Sequence, residues 1–163
     1  MNIILIGFMG SGKTTVGRMV AEKLCMDFID TDQLIEKKCN KTIFDIFEEK
    51  GENFFREKER YLIKKTLKKK INCVISTGGG MPCYKDNMKQ LKSIGKTIYL
   101  KIDFDILKKR ISARNRPLFQ DIKKAEQLFN KRKTCYENAD EVINSGGDLE
   151  NTISQIIKLA DLP

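Results

Sequence analysis

The chain alternates between short apolar runs and longer segments whose apolar residues recur every three or four positions. The first run, Asn2–Ile6, stops at a glycine, as buried parallel strands do. In the segment that follows, Val16, Val20 and Leu24 are spaced four apart, which predicts a helix over Lys13–Cys25. Because the same alternation continues to the end of the chain, we predict short strands separated by helices.

The boundaries of the other predicted strands and helices follow from the same spacing of apolar residues and from residues that favour turns. The predicted strands are Asn2–Ile6, one ending at Ile29, Cys73–Ile75, Thr97–Ile102 and Glu141–Ile143. Beyond the first helix, the predicted helices start near Leu34 and Thr42, are interrupted at Gly51, and then span Phe54–Lys70, Lys85–Lys92, Phe104–Ile111, Ile122–Tyr136 and Asp148–Leu159. Parallel strands need long crossovers, so this order predicts an α/β fold with a parallel sheet, in a single domain over 1–163.

The amino-acid composition excludes several kinds of catalytic and metal site. The 163 residues include no histidine, which excludes Ser–His and Cys–His catalysis and histidine-ligated zinc or iron sites. The five cysteines are widely spaced and form no CxxC pair, so we expect no disulfide framework and a reducing cytoplasm. We expect no membrane span, because no apolar run approaches ~20 residues. We also expect no signal peptide, because no basic segment followed by an apolar one stands at the start.

The formal net charge of +9 is compatible with nucleic acid, a membrane surface or small anionic ligands. Lysine supplies most of this charge, with 24 residues against seven arginines. An arginine is therefore the exception here, and it is the better residue for planar recognition of carboxylate and phosphate. The basic run Lys64–Lys70 is the strongest nucleic-acid signal, although such runs are more typical of a solvated helix end.

The segment Gly7–Thr14, GFMGSGKT, matches the phosphate-loop pattern GxxxxGK[ST]. Its glycines let backbone N–H groups turn towards phosphate oxygens, and the following helix adds the positive end of its dipole. In such a loop Lys13 reaches the β- and γ-phosphates, and the hydroxyl of Thr14 can ligate Mg²⁺. The predicted strand before the loop and the helix after it complete the pattern, and the short chain favours a small-molecule kinase.

Two acidic residues, Asp30 and Asp32, follow the second predicted strand, at the end of a parallel sheet that carries ligands. One carboxylate suits a metal ion, and the other can accept the proton of a substrate hydroxyl. On these residues alone, the alternative is that one of them caps the next helix.

Two further features permit both a functional and a plain structural interpretation. Arg56 and Glu59 lie three residues apart on a predicted helix, where an ordinary surface ion pair is the alternative to a binding site. Gly78–Gly80 ends the third strand and either lets a ligand approach the backbone or forms a plain loop.

An arginine cluster lies ahead of Pro117 and contains Arg110, Arg114 and Arg116. Such a segment fits a lid that closes over a triphosphate, and the alternative is a solvated basic loop. Arg132, four residues before Tyr136 on a predicted helix, is uninformative by itself.

Taken together, these segments resemble the shikimate kinases, a family in the nucleoside-monophosphate-kinase-like branch of phosphate-loop proteins. The matching segments are GFMGSGKTTVGR at 7–18, DTD at 30–32, FRxxE at 55–59, GGG at 78–80, RPL at 116–118 and RxxxY at 132–136. The resemblance covers about residues 2–158. It implies a three-layer α-β-α fold around a five-stranded parallel sheet of order 2-3-1-4-5, with a substrate-binding region at about 31–60 and a lid at about 112–122.

The resemblance also implies a reaction, in which ATP phosphorylates the 3-hydroxyl of shikimate in the pathway to aromatic amino acids. It implies that ATP is bound by Gly10, Ser11, Gly12, Lys13, Thr14, Thr15, Arg110 and Arg116. It assigns shikimate to Asp32, Arg56, Gly78, Gly79, Gly80 and Arg132, with the last arginine and Arg56 on the carboxylate. Mg²⁺ is the implied cofactor, near Thr14 and Asp30, and the implied catalytic residues are Lys13, Asp32 and Arg116.

Other functions remain open at this point. A gluconate or nucleotide kinase would use the same chemistry, although a nucleotide acceptor would need a base pocket. From a different class, an ATP-gated basic module could bind nucleic acid, and its binding would fall steeply with salt. We expect ATP and shikimate as ligands of a cytoplasmic monomer, without nucleic-acid or membrane partners.

Overall fold

The structure, a computed structural model, describes residues 1–112 and 121–160. The strands in these residues are β1 (Ile3–Ile6), β2 (Asp27–Asp30), β3 (Cys73–Ser76), β4 (Lys96–Lys101) and β5 (Glu141–Asn144). The α-helices are α1 (Lys13–Lys23), α2 (Thr31–Cys39), α3 (Ile43–Lys65), α4 (Asn87–Lys92), α5 (Phe104–Ser112), α6 (Ile122–Tyr136) and α7 (Leu149–Ala160). Short 3₁₀ turns cover Leu67–Lys69 and Met81–Cys83.

The strands form one parallel sheet in the order β2-β3-β1-β4-β5, which confirms the predicted fold class and strand order. Successive residues of β1 point to opposite faces of the sheet. Ile4 and Ile6 join the apolar cluster that includes residues of α2, α3, α4 and α6, whereas Ile3 and Leu5 join the cluster that includes residues of α1 and α7. The sheet is therefore the middle of three layers, and it holds β1 fully buried.

The predicted helix over Phe54–Lys70 was wrong at both ends. Helix α3 begins at Ile43, runs through a non-helical kink at Gly51 (φ 79°) and ends at Lys65. After it, a 3₁₀ turn carries Leu67 into the core, where its side chain is completely buried. The kink confirms the predicted interruption, and the early end follows from the burial of one leucine in an otherwise charged run.

Two other helix boundaries were misplaced by residues with left-handed backbone conformation. Cys25 has φ 52°, so α1 ends at Lys23 and does not reach Cys25 as predicted. Lys85 has φ 49°, and α4 begins only at Asn87. A side chain with a Cβ adopts this conformation singly and not within a helix, so each residue marks a turn.

The predicted lid at about 112–122 falls mostly outside the described residues, as do Arg114 and Arg116. Among the described helices, none combines the length and the apolar character needed to cross a bilayer.

Candidate active site

The candidate site lies where three neighbouring strands end. Strand β1 leads into the phosphate loop, β2 leads into Asp30 and Asp32, and β3 leads into the glycine loop Gly78–Gly80. Because these strands are parallel neighbours, their carboxyl ends lie at one edge of the sheet, which is where open α/β sheets bind ligands. The fold thus gathers three predicted segments at one place.

The lysine of the phosphate loop contacts backbone oxygens of the same loop. Lys13 is buried, and its ammonium group donates to the backbone oxygens of Gly7, at 2.9 Å, and Phe8, at 2.8 Å. Lys13 is also the first residue of α1, and no side chain among the described residues caps that helix at Gly12. The N–H groups of the first turn are therefore available to an anion, which the helix dipole also favours.

Asp30 accepts hydrogen bonds through both of its carboxylate oxygens. Its Oδ1 accepts from the backbone N–H groups of Asp32, at 3.0 Å, and Gln33, at 3.3 Å, and so caps α2. Its Oδ2 accepts from the hydroxyl of Thr14 at 2.9 Å. The capping and functional interpretations of the acidic pair are thus compatible, since Asp30 is the cap and also faces the phosphate loop.

The Thr14 hydroxyl and the Asp30 carboxylate form a pair of hard oxygen donors beside the loop lysine. Mg²⁺ prefers such oxygens and usually keeps several waters, using one or two protein groups together with substrate phosphates. The described residues contain no cluster of three or more acidic, histidine or cysteine side chains that would form an all-protein metal site. The donor set therefore fits a nucleotide-associated Mg²⁺.

The carboxylate of Asp32 differs from that of Asp30 in its pKa and in its contacts. Burial, followed by the neighbouring charge of Asp30, raises its pKa to about 6, against the opposing effect of Lys13 and Arg56. Its Oδ1 atom is buried and has no hydrogen-bond partner among the described residues. A Cβ atom at Gly78 would collide with this carboxylate, so only glycine permits the close approach of the two segments. A buried, unsatisfied carboxylate of this kind is suited to accept a ligand hydroxyl.

Arg56 faces the same glycine loop from α3. Its Nη1 donates to Oε2 of Glu59 at 2.7 Å, and its Nη2 donates to Oε1 of Glu52 at 3.2 Å. The interpretation of Arg56 and Glu59 as a surface ion pair is wrong, because the side chain of Glu59 is 0% exposed. A Cβ atom at Gly80 would collide with the guanidinium group, which therefore lies directly against the loop.

Glu59 itself is unusual for a charged residue. Burial raises its pKa to about 7, against the opposing effect of Arg56. One carboxylate oxygen, Oε1, has no hydrogen-bond partner among the described residues, and it lies 3.0 Å from the position that a Cβ would take at Gly78. Glu59 therefore orients the guanidinium of Arg56 through a hydrogen bond. Its carboxylate lies next to Gly78, as that of Asp32 does.

Helix α6 supplies the other side of the loop. Arg132 Nη1 lies 3.5 Å from the position that a Cβ would take at Gly79. One turn later, the hydroxyl of Tyr136 donates to the carbonyl oxygen of Gly79 at 2.6 Å. The structure therefore brings Asp32, Arg56 and Arg132 around one short glycine segment, as the resemblance implies.

Two clefts meet at the phosphate loop. One, of about 750 Å³, extends from Lys13 and Thr14 to Asp30, Asp32 and Gly79. The other, of about 300 Å³, is lined by Ser11, Arg110 and Ser145 among others. Gly10, Gly12 and Thr15 line both clefts.

Arg110 lines the smaller cleft, and its Nη2 donates to the carbonyl oxygen of Ser145 at 3.5 Å. It is thus separated from Arg56 and Arg132, which lie on the glycine loop. Arg116, the remaining predicted site residue, lies outside the described residues.

Sequence reasoning left three residues of this region without a role. Glu59 and Tyr136 stand in the FRxxE and RxxxY segments, and Thr31 stands between the two aspartates. The hydroxyl of Thr31 is buried and accepts from the N–H of Gly78 at 2.9 Å, which joins α2 to the glycine loop. In the sequence, the signal for these three residues was their spacing from predicted site residues. Only the packing shows what they contact.

Comparisons with known proteins agree with this geometry. The family model described as shikimate kinase matches residues 9–160. A shikimate kinase of Sulfurihydrogenibium sp. is 44% identical over 159 residues, which are 96% of this chain and 93% of the relative. The crystal structure of shikimate kinase from Bacteroides thetaiotaomicron superposes with a TM-score of 0.92 at 36% identity, covering 99% of each chain.

A second solved structure, shikimate kinase from Acinetobacter baumannii in complex with shikimate, has a TM-score of 0.86 at 34% identity and covers 98% of this chain and 92% of its own. The family model and the full-length relatives confirm the resemblance that the motifs indicated. The chain belongs to the shikimate kinase family of ATP-dependent kinases.

Proposed function

We propose that this chain transfers the γ-phosphoryl group of ATP to the 3-hydroxyl of shikimate, giving shikimate 3-phosphate and ADP in the pathway to aromatic amino acids. The observation that carries the proposal is the continuity of the larger cleft from the phosphate loop to the carboxylate of Asp32. The guanidinium groups of Arg56 and Arg132 lie at the glycine loop on the same side. Shikimate, a carboxylate with vicinal hydroxyls, needs this combination of groups.

ATP would bind across the two clefts. The smaller cleft, which Arg110 lines, would receive the nucleoside, and the backbone N–H groups of Gly10–Gly12 would hold the phosphates. Lys13 would exchange its contacts with loop carbonyls for the β- and γ-phosphates, and Thr15 lies where the two clefts meet. Arg116, outside the described residues, remains our proposed contact to the transferred group.

Thr14 and Asp30 would hold Mg²⁺, which supplies charge neutralisation on the phosphates. Because Asp30 also caps α2, the same side chain fixes the start of the helix that carries Asp32. The first turn of α2 therefore connects one proposed metal donor, Asp30, to the proposed acceptor-binding carboxylate, Asp32.

Asp32 would accept the proton of the attacking hydroxyl. A pKa of about 6 keeps most of this carboxylate ionised at pH 7, and it makes the group a stronger base than an ordinary aspartate. Its unpartnered Oδ1 provides the acceptor atom. Proton removal and hydroxyl positioning are the two contributions that phosphoryl transfer requires from the acceptor side.

Arg56 and Arg132 would bind the carboxylate of shikimate from two helices. Glu59 holds Arg56 by a buried hydrogen bond, so its guanidinium is oriented before the ligand arrives. Gluconate and nucleotide acceptors are not favoured, since the family model and the relatives point to shikimate. A nucleic-acid-binding role is not favoured for the same reason. We further propose a single-domain monomer that acts in the cytoplasm.

The proposal is tested by coupling ADP release to an absorbance change with shikimate, gluconate or AMP as the acceptor. We expect turnover with shikimate, and little turnover with gluconate or AMP. The Lys13→Ala variant, purified in parallel, measures the contribution of contaminating kinases. Turnover with gluconate or AMP that exceeds turnover with shikimate would refute the proposed substrate.

A further inference from the structure

Two of the five free cysteines meet beside the glycine loop. Cys83 is the last residue of the 3₁₀ turn that follows Gly78–Gly80, and Cys135 lies on α6, three residues after Arg132. The 3₁₀ turn packs against α6, the two thiols influence each other's pKa, and both side chains are partly exposed. The pair therefore joins the two elements that flank the proposed carboxylate site.

The surroundings of the pair favour a reactive thiolate. The neighbouring Cys83 thiol lowers the pKa of Cys135 against the effect of burial, and the positive charge of Arg132 acts in the same direction as Cys83. The same contact, together with burial, raises the pKa of Cys83. A thiolate is the nucleophile in cysteine oxidation, so Cys135 is the group that reacts first and Cys83 is its neighbour.

Both cysteines are close to contacts that shape the glycine loop. The backbone N–H of Cys83 donates to the carbonyl oxygen of Gly80 at 3.2 Å. Directly after Cys135, Tyr136 donates its hydroxyl to the carbonyl oxygen of Gly79 at 2.6 Å. A displacement of either cysteine backbone is therefore transmitted to Gly79 and Gly80, against which Arg132 and Arg56 lie.

We propose that Cys83 and Cys135 are a site of reversible oxidation by hydroperoxides, and that their disulfide weakens binding of the carboxylate substrate. The coupling to substrate rests on the proposed function. The Cys135 thiolate attacks one peroxide oxygen, the O–O bond breaks, and hydroxide leaves, which yields a sulfenic acid. The Cys83 sulfur then displaces the sulfenic oxygen as water, so two thiols and one hydrogen peroxide give a disulfide and two waters.

The effect on the site follows from bond length. A disulfide holds its sulfur atoms about 2.05 Å apart, much closer than two hydrogen-bonded thiols. The bond must therefore draw the 3₁₀ turn and α6 together and displace the glycine loop relative to Arg132. Because a misplacement of about 1 Å can alter reactivity 10²-fold, we expect a clear change in substrate handling.

The experiment treats the reduced full-length protein with hydrogen peroxide and maps the products by mass spectrometry. We expect a cross-link between the tryptic peptides 71–85 and 134–158, lost on reduction with dithiothreitol. The first peptide also contains Cys73, which is buried, so fragmentation must place the bond at Cys83. Absence of this cross-link, or its persistence in Cys83→Ser, would overturn the proposal.

The kinetic readout uses the same samples. Oxidised wild-type protein should show a KM for shikimate raised by about tenfold or more, with the KM for ATP little changed, and dithiothreitol should restore it. Cys83→Ser, Cys83→Ala and Cys135→Ser should resist peroxide, whereas Cys25→Ser, which removes an exposed cysteine, should respond like wild type. Equal loss of activity in wild type and the pair variants would refute the proposal, as would unchanged kinetics in cross-linked protein. An inactive reduced enzyme would refute the proposed function instead, and the cross-link would still be measurable.

Discussion

The phosphate loop and the acceptor region lie side by side at one edge of the sheet, but they are built differently. The phosphate loop is a single run of consecutive residues, Gly7–Thr14, and its lysine contacts backbone oxygens of the same run. The acceptor region is collected from α2, α3, the end of β3 and α6, and its contacts are made by charged and polar side chains of these elements. A local sequence thus suffices for the phosphate site, whereas the acceptor site exists only in the folded chain.

The two regions also differ in their effect on stability. In the acceptor region, burial raises the pKa values of Asp32 and Glu59 to about 6 and about 7. A buried carboxylate with a raised pKa destabilises the folded state wherever it is ionised. Arg56 offsets part of this penalty through its contact with Glu59. We infer that the acceptor region is maintained for substrate binding at the expense of stability.

The largest effect is expected from Asp32→Asn, which keeps the shape of the side chain and removes its charge. Loss of the proton acceptor should lower kcat by roughly 10²–10⁴. The same substitution should raise the free energy of unfolding at pH 8, since it removes a buried charge. Steady-state kinetics and urea unfolding measure the two changes. Asp27→Asn, at the exposed start of β2, is the control, and a kcat within a few-fold of wild type would make Asp32 structural.

The next largest effect is expected from Arg132→Ala. A truncated arginine–carboxylate contact in a closed site costs roughly 2–4 kcal/mol, which should raise the KM for shikimate by about thirtyfold to several hundredfold. The KM for ATP should change little, because the phosphate loop is built separately. Lys133→Ala, at an exposed position one residue away, should behave like wild type. A fall in kcat with an unchanged KM for shikimate would contradict the assignment.

A smaller effect separates the two carboxylates that contact Arg56. Glu59 is fully buried, whereas Glu52 is 62% exposed. Glu59→Gln should raise the KM for shikimate by about tenfold, because Arg56 loses its oriented, desolvated partner, while Glu52→Gln should have almost no effect. Initial-rate measurements on both variants test the difference. Similar values for the two variants would mean that burial of Glu59 does not position Arg56.

The sequence predicted the phosphate loop and the strand order because both depend on short-range patterns or on a family resemblance. The residue pattern alone left the roles of Asp30 and Asp32 open, and only the resemblance assigned the metal to Asp30 and shikimate to Asp32. The contact of Asp30 with Thr14 joins two elements, so no local pattern shows it. The burial of Glu59 was missed for a similar reason. A charged residue on a charged helix is ordinarily exposed, and only the packing of α3 against the glycine loop reverses this expectation.

The remaining prediction is the pH dependence of stability. Asp32 and Glu59 bind protons in the folded state up to about pH 6 and 7, but in the unfolded state only near their ordinary pKa values. The folded state therefore binds more protons between these limits, so stability falls as the pH rises through 6 and 7. We expect roughly 4 kcal/mol more stability at pH 5 than at pH 8, while kcat changes in the opposite direction.

Urea unfolding at several pH values measures this slope. The double variant Asp32→Asn, Glu59→Gln is the control and should lose the slope, because neither amide titrates. A slope of equal size in the double variant would assign it to other groups and would contradict the account of the acceptor region.

The central claim is that one region binds ATP and the other binds shikimate, and calorimetric titration of two variants tests it most directly. Lys13→Ala should lose affinity for ATP and bind shikimate within about threefold of wild type, and Arg132→Ala should do the reverse. Each variant serves as the folding control for the other. If both variants lost affinity for both ligands to a similar extent, the two regions would not be separate sites and the account would be wrong.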